Sequence, residues 1–239
     1  MKSHGRAART TLISSVLLLV LGLAAVPAPP TLSAQSAGAV TPEQLPPDVF
    51  PESRNRLPLL KRDSLDPQAR ELHDAIMGDP RLLTGLQGPG GIRLHSPQVG
   101  QLVRRLNAYL RFDSALGART VELAILVTAR ELDSQFEWSA HEPAALRAGV
   151  SPALVDLVRR RGAVSGLPEQ DAAVIELGRE VFGMRRVSSA TYARALKAFG
   201  PKNLVDLTIL LGEYSATAVL LTTFDQQLPA GQRPALPPR

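Results

Sequence analysis

The amino-acid sequence predicts an all-α protein, a single-domain helical bundle over residues 64–228 built around a buried antiparallel helical hairpin. Three observations carry this. Alanine and leucine abound while aromatic residues make up only 4% of the chain, which favours helices over sheets. Apolar residues recur at helical spacing through most of the chain. No segment alternates apolar and polar residues as a half-buried strand would.

Residues 1–34 read as a secretory signal peptide, with Lys2, Arg6 and Arg9 as the basic region, Thr11 to Val26 as the apolar run, and small residues around Ser33 and Ala34. The apolar run is short for a bilayer span of about 20 residues, and Pro27, Pro29 and Pro30 follow it. Cleavage and export to the periplasm or the medium are therefore expected over a retained anchor, with no membrane attachment afterwards. Without cysteine, no lipid can be attached through a thiol, which excludes a lipoprotein. Residues 35–63 carry Pro42, Pro46, Pro47, Pro51 and Pro58 and read as a linker or an arm laid over the domain.

The helical pattern begins at Asp66, an N-cap followed by Pro67 at the first helical position, and runs to about Met77. Gly85 to Gly91 reads as a loop. Ser96-Pro97 opens a second helix with Val99, Leu102, Val103, Leu106 and Leu110 on its apolar spacing. Gly117 separates it from a third, Ala118 to Leu132, which is apolar nearly all round and therefore buried. Asp133 or Ser134 starts the next, ending at Gly149. Ser151-Pro152 begins a short helix, and Pro168 one reaching about Gly183. Ser188 or Ser189 caps one running to Phe199, and Gly200-Pro201 breaks the chain before a last long helix to about Phe224. Residues 229–239, with four prolines, form an extended tail.

Composition narrows the function. The formal charge of +5 falls to about +2 once the basic residues of the first 34 are removed, which leaves no footprint for nucleic acid. Arg159-Arg160-Arg161 reads as a solvated helix end, where cations are favoured. Gly85 to Gly91 lacks the preceding strand and the lysine of a phosphate loop. Ser134 and Ser139 lack a nucleophile elbow and a strand to mount it. His73, His95 and His141 are scattered, and one Glu-x-x-x-His supplies two metal ligands where a zinc enzyme uses three. No metal and no cofactor are expected.

The stretch Arg119 to Gly149 holds the unusual chemistry. Glu122 interrupts an almost continuous apolar run, while Glu137 and His141 stand i, i+4 on the following helix. An antiparallel hairpin turning near Asp133 can bring Glu122 opposite His141, nineteen residues on. A carboxylate beside a histidine holds one tautomer and makes the imidazole a proton shuttle near neutral pH. The alternative for such a Glu–His pair is a surface ion pair of a few tenths of a kcal/mol. Phe136 and Trp138, which flank Glu137, argue for burial. They and Tyr214 are candidates for apolar walls or for simple core, and Arg130 for a substrate cation or a helix-end charge.

The segments RTVELAIL, ELDSQFEWSAHEPAALRAGVS and FGPKNLVDLTILLGEYSATAVLLTTFDQQLP resemble the carboxymuconolactone decarboxylase family, which includes the alkyl hydroperoxidase D-type proteins. The resemblance spans roughly residues 64–230. Its hydroperoxidase branch uses Cys-x-x-Cys-x-x-x-His with an upstream glutamate. Here the cysteine positions hold Ser134 and Glu137, the histidine is His141 and the glutamate is Glu122. A thiol peroxidase needs a thiolate, so that chemistry is excluded. The resemblance implies instead a cofactor-independent lyase or isomerase acting on a small carboxylated or lactone-type substrate. His141 would be the general acid and Glu122 its partner, with Glu137 shaping the pocket or abstracting a proton. It also implies a homo-oligomer, a trimer or hexamer. The competing expectation is an exported, non-catalytic binding or assembly protein of the same fold.

Overall fold

The structure is a computed structural model and describes residues 45–237. The secretory-signal reading of residues 1–34 and the first part of the 35–63 arm lie outside the described residues. Among the described residues there are eight α-helices and no strand. They are α1 (Pro67–Met77), α2 (Pro89–Leu94), α3 (Pro97–Ala108), α4 (Ala118–Glu131), α5 (Gln135–Arg147), α6 (Pro152–Arg159), α7 (Glu169–Arg179) and α8 (Ser189–Thr223).

Short polar residues start several of these helices by satisfying backbone N–H groups that lack an intrahelical partner. Asp66 accepts from the Ala69 amide at 2.8 Å, Ser151 from Leu154 at 3.2 Å and Ser188 from Thr191 at 3.2 Å. Pro67, Pro97 and Pro152 follow at the first helical position, where a missing N–H costs nothing. Gly200, at φ 70° and ψ 170°, kinks α8 ahead of Pro201.

α4 is the centre of the fold. Every residue from Val121 to Arg130 is buried, because α5, α6, α7 and α8 pack around it. The main core joins Leu123, Ile125, Leu126, Trp138, Ile175, Leu207, Leu210 and Leu211. A smaller cluster, Leu65, Leu72, Ile76 and Leu94, holds α1 and α2 together.

Three elements differ from the sequence expectation. The Gly85–Gly91 segment is not all loop. α2 starts inside it, and a Cβ at Gly90 or Gly91 would lie 2.4 Å or 2.0 Å from the Gly85 or Leu86 carbonyl oxygen, so only glycine allows so close a turn. α3 does not bury the apolar face that its spacing marks. Val99, Leu102 and Leu106 are exposed, while Gly100 packs on Leu72 and Val103, Arg104 and Asn107 line a cavity. α3 and α7 also each run on into a π-helical turn, Tyr109–Asp113 and Glu180–Met184.

The folded part reaches past both ends of the 64–228 range. The arm is stapled to the end of α8, where the Arg56 amide donates to the Phe224 carbonyl and the Gln227 amide to that of Arg54, each at 2.8 Å. Val49, Ser53 and Asn55 are buried there. The tail folds back over the start of α5, where Gln135 accepts from the Ala235 and Leu236 amides and Leu236 enters the core.

Gly178 of α7 faces Val127 of α4 so closely that a Cβ would lie 2.4 Å from Val127 Cγ1. Gly178→Ala gains about 0.5–1 kcal/mol of helix preference but overpacks a stiff, buried side chain. The expected net loss is about 1–2 kcal/mol by urea unfolding. A stability gain would show that α4 and α7 can move apart freely.

Candidate active site

Glu122 lies on α4, and Glu137 and His141 on α5. The connection between these helices is Leu132-Asp133-Ser134, with Asp133 in the left-handed region at φ 51° and the Ser134 amide bonded to the Ala129 carbonyl at 2.8 Å. This tight reversal makes the hairpin antiparallel and sets Glu122 against His141. A widened turn in α3's continuation delivers Arg111 to the same spot, a common use of π-bulges.

His141 Nδ1 lies 2.7 Å from Glu122 Oε2, and Arg111 donates to Glu122 Oε1 at 3.2 Å. The Tyr214 ring stands edge-on to the imidazole at 5.2 Å. Burial opposes ionisation of Glu122, but the His141 hydrogen bond and charge, joined by the Arg111 guanidinium, outweigh it and hold the carboxyl below its ordinary value. An ionised carboxylate only accepts, so Nδ1 carries the hydrogen.

Nε2 of His141 is left on the cavity side, 3.6 Å from Glu137 Oε2, beyond direct hydrogen-bond length. Glu137 is in the opposite electrostatic state from Glu122. Burial pushes its carboxyl up, and the nearby Glu213 adds to this while His141, Arg93 and Arg111 pull it down. Two carboxyl groups whose environments drive them apart are the pattern of an acid and its ionised partner. Burial likewise pushes the Tyr214 phenol far up, so it stays a neutral hydroxyl.

The cavity beside Nε2 encloses about 110 Å³. Leu72, Ile76, Leu82, Leu83, Val103 and Phe112 give it an apolar wall. Its polar side carries Arg93, Arg104, Asn107, Arg111, Glu137, His141, Tyr214 and Thr217. Glu213 of α8 organises part of this side. It accepts from Arg93 at 3.2 Å and Asn107 at 3.0 Å, and Thr217 joins the same group.

The structure brings together four of the seven residues singled out from sequence. His141, Glu137 and Tyr214 line the cavity, and Glu122 stands directly behind His141. The other three lie elsewhere. Arg130 is buried near the far end of α4, ion-paired with Asp133, because the helix carries it more than two turns beyond Glu122. Trp138 points the opposite way from Glu137 into the core, where it donates to Glu142 at 2.7 Å and lies under Arg159. Phe136 packs with Ile92 and Leu221 and closes on Gly88.

Arg111, Arg93, Arg104 and Glu213 were not found from the sequence. Glu213 had the same signal as Glu122, since it too interrupts an apolar run, Leu204 to Leu221. Arg111 gave none, because a π turn that redirects one side chain leaves no mark in apolar spacing.

The family model described as Carboxymuconolactone decarboxylase family matches residues 97–177, which include α3, the hairpin and most of α7. No curated protein matches the chain. A solved structure of a protein of unknown function from Agrobacterium tumefaciens, titled as an AhpD antioxidant-defence candidate, is similar with a TM-score of 0.52 and 19% identity, over 58% of this chain and 95% of that one. The alkylhydroperoxidase AhpD core structure of an uncharacterized peroxidase-related protein from Ralstonia eutropha gives 0.58 and 15%, over 74% and 93%. At these identities the structures speak for the fold. The chain, which has no cysteine, thus has an all-α fold similar to that of AhpD-like proteins, and its segment 97–177 is similar to the carboxymuconolactone decarboxylase family.

Proposed function

We propose that the protein is a cofactor-independent lyase that moves a proton to or from a carbon of a small carboxylated or lactone-type substrate held in the cavity. One observation carries this reading: His141 is fixed at Nδ1 by Glu122 and presents Nε2 to an apolar-walled cavity beside Glu137, a carboxyl group whose proton affinity burial raises. That is the equipment of acid–base catalysis at carbon.

In a decarboxylation the bond to the carboxylate carbon breaks, carbon dioxide leaves, and the electron pair stays on a carbon conjugated to a carbonyl as an enolate. Arg111, placed beside Glu122, lowers the energy of that negative charge. The carbon then takes a proton from the Glu137 carboxyl group or from His141 Nε2, and solvent returns a proton to the donor. Glu122 is a positioning residue in this scheme, since it reaches the substrate only through the imidazole. Isomerisation uses the same pair, one member removing a proton and the other returning it. The peroxidase-related description of the Ralstonia neighbour does not carry over through thiol chemistry, because this chain has no cysteine.

Assembly is the second part of the reading. Val99, Leu102 and Leu106 share one face of α3 and are exposed, as are Val205, Ile209 and Val219 along α8. Apolar faces of this kind on a folded surface support self-association. We propose a homo-oligomer of the exported chain, and a purely structural role for that assembly is the alternative to catalysis.

Carbon dioxide release from γ-carboxymuconolactone tests the activity. The purified chain is expected to release it, and a folded His141→Ala variant to be slower by about 100-fold or more. Equal rates would remove His141 from the mechanism, and no release from either would move weight to another substrate or to the structural role.

Glu137 gives a pH prediction. Its folded-state value is raised, so the native state keeps a proton that the unfolded chain gives up, and stability is lost as pH climbs from the ordinary glutamate range through the folded value. Glu137→Gln removes this loss. The melting temperature of the variant should therefore gain on the wild type as pH rises from 4 to 8, and parallel curves would show that Glu137 is ionised throughout. For assembly, Leu102→Glu combined with Ile209→Glu should yield a smaller species by sedimentation without loss of helicity.

A further inference from the structure

Most of the cavity wall comes from helices: α1, α2, α3 with its π turn, α5 and α8. The exception is the connection between α1 and α2, residues 78–88, which contributes Asp79, Leu82, Leu83, Thr84 and Gly85. Within it Leu82 and Leu86 are anchored, since both pack against the cluster of Leu65, Leu72, Ile76 and Leu94. Leu83, between them, is 38% exposed although it lines the cavity. Among the described residues, the amides of Leu83, Thr84, Gly85 and Leu86 donate to no backbone carbonyl. Gly85 lies in the left-handed region at φ 54°, and a Cβ there would meet no atom within 4 Å, so the space around it is free. Gly88 fixes the far end, where a Cβ would lie 2.6 Å from Phe136 Cζ.

Leu83 and Thr84 also line a second hollow of about 180 Å³, together with Arg54, Gln87, Phe136, Gln226, Gln227 and Pro229. None of these six lines the cavity, so Leu83 and Thr84 are the wall that the two spaces share. The arm and the chain after α8 build the outer side of this hollow. They are held to each other there, because Arg54 Nε donates to the Leu228 carbonyl at 2.6 Å and Gln226 Nε2 to that of Arg54 at 3.3 Å.

We propose that Leu83 and Thr84 form a gate between the cavity that His141 faces and this outer hollow, which is the vestibule through which small molecules enter and leave. A short stretch with few backbone bonds, set between two packed anchors, opens at lower cost than helices that share a core. Opening elsewhere would part α4-packed helices and expose apolar surface to water. The gate acts on entry, whatever chemistry follows inside.

The chain has no cysteine, so one introduced thiol reports alone. Thr217→Cys places it on the cavity wall at a position only 2% exposed. Its alkylation by iodoacetamide under native conditions, followed by mass spectrometry, reads entry to the cavity. Ile76→Cys, on the same wall, is the second probe should Thr217→Cys not fold. In either background Leu83→Ala should speed alkylation by about tenfold or more, and Gln87→Trp, which fills the hollow, should slow it by about fivefold or more. Arg105→Gln, on the exposed side of α3, should change nothing. Urea midpoints should match the parent's, since Leu83 and Gln87 are both exposed. A rate untouched by Leu83→Ala would overturn the gate. One untouched by Gln87→Trp would overturn the vestibule, with entry running straight from solvent. Alkylation no faster than global unfolding would overturn both. No turnover is measured, so the lyase reading stands or falls separately.

Discussion

The bond between Glu122 and His141 sets the terms for the rest of the molecule. α4 is buried along ten consecutive residues, and placing a carboxylate in such a helix is unfavourable unless the charge is answered in place. The answer comes from two other elements, the imidazole of α5 and the Arg111 guanidinium from the π turn after α3. Removing one member of a buried charged set typically costs about 3–5 kcal/mol, because the partners are left without compensation. The register of the α4–α5 hairpin and the local shape of α3 are thus tied to one carboxylate.

The same bond creates the chemical asymmetry of the site. By occupying Nδ1, Glu122 leaves His141 one free ring nitrogen, and it is the one facing the cavity. Glu137, one turn earlier on α5, has no cation at hydrogen-bond distance, and burial, with Glu213 nearby, raises its proton affinity. The two carboxyl groups flanking one imidazole are thus shifted in opposite directions. Glu213 plays a quieter part, gathering Arg93, Asn107 and Thr217 into a wall that connects α2, α3 and α8.

Particular residues show what could be read in advance. Asp66-Pro67, Ser151-Pro152 and Ser188 start helices where local hydrogen bonding alone requires them. Those elements were legible because a cap is satisfied within three residues. The burial of α4 was legible as well, since a helix apolar on every side has no face for water. The outward face of α3 was not. Leu102 and Leu106 have the spacing of a core stripe, yet the inward side belongs to Arg104 and Asn107, because the cavity that they line needs polar donors. Arg130 shows the converse limit: a cation near the hairpin in sequence is far from the cavity once the helix rise is counted.

The sequence by itself determined most of the helices and several of their caps, the absence of thiol chemistry and the trio Glu122, Glu137 and His141, because these depend on residue type and short-range spacing. Tertiary structure decided which cations join the trio, how each carboxyl is charged and where apolar surface stays open. These are properties of groups brought together from α2, α3, α5 and α8, and a carboxyl's proton affinity is set by neighbours as far off in the chain as Glu213 is from Glu137. Local pattern holds no record of such neighbours, since desolvation and Coulomb interactions depend on distance in space alone.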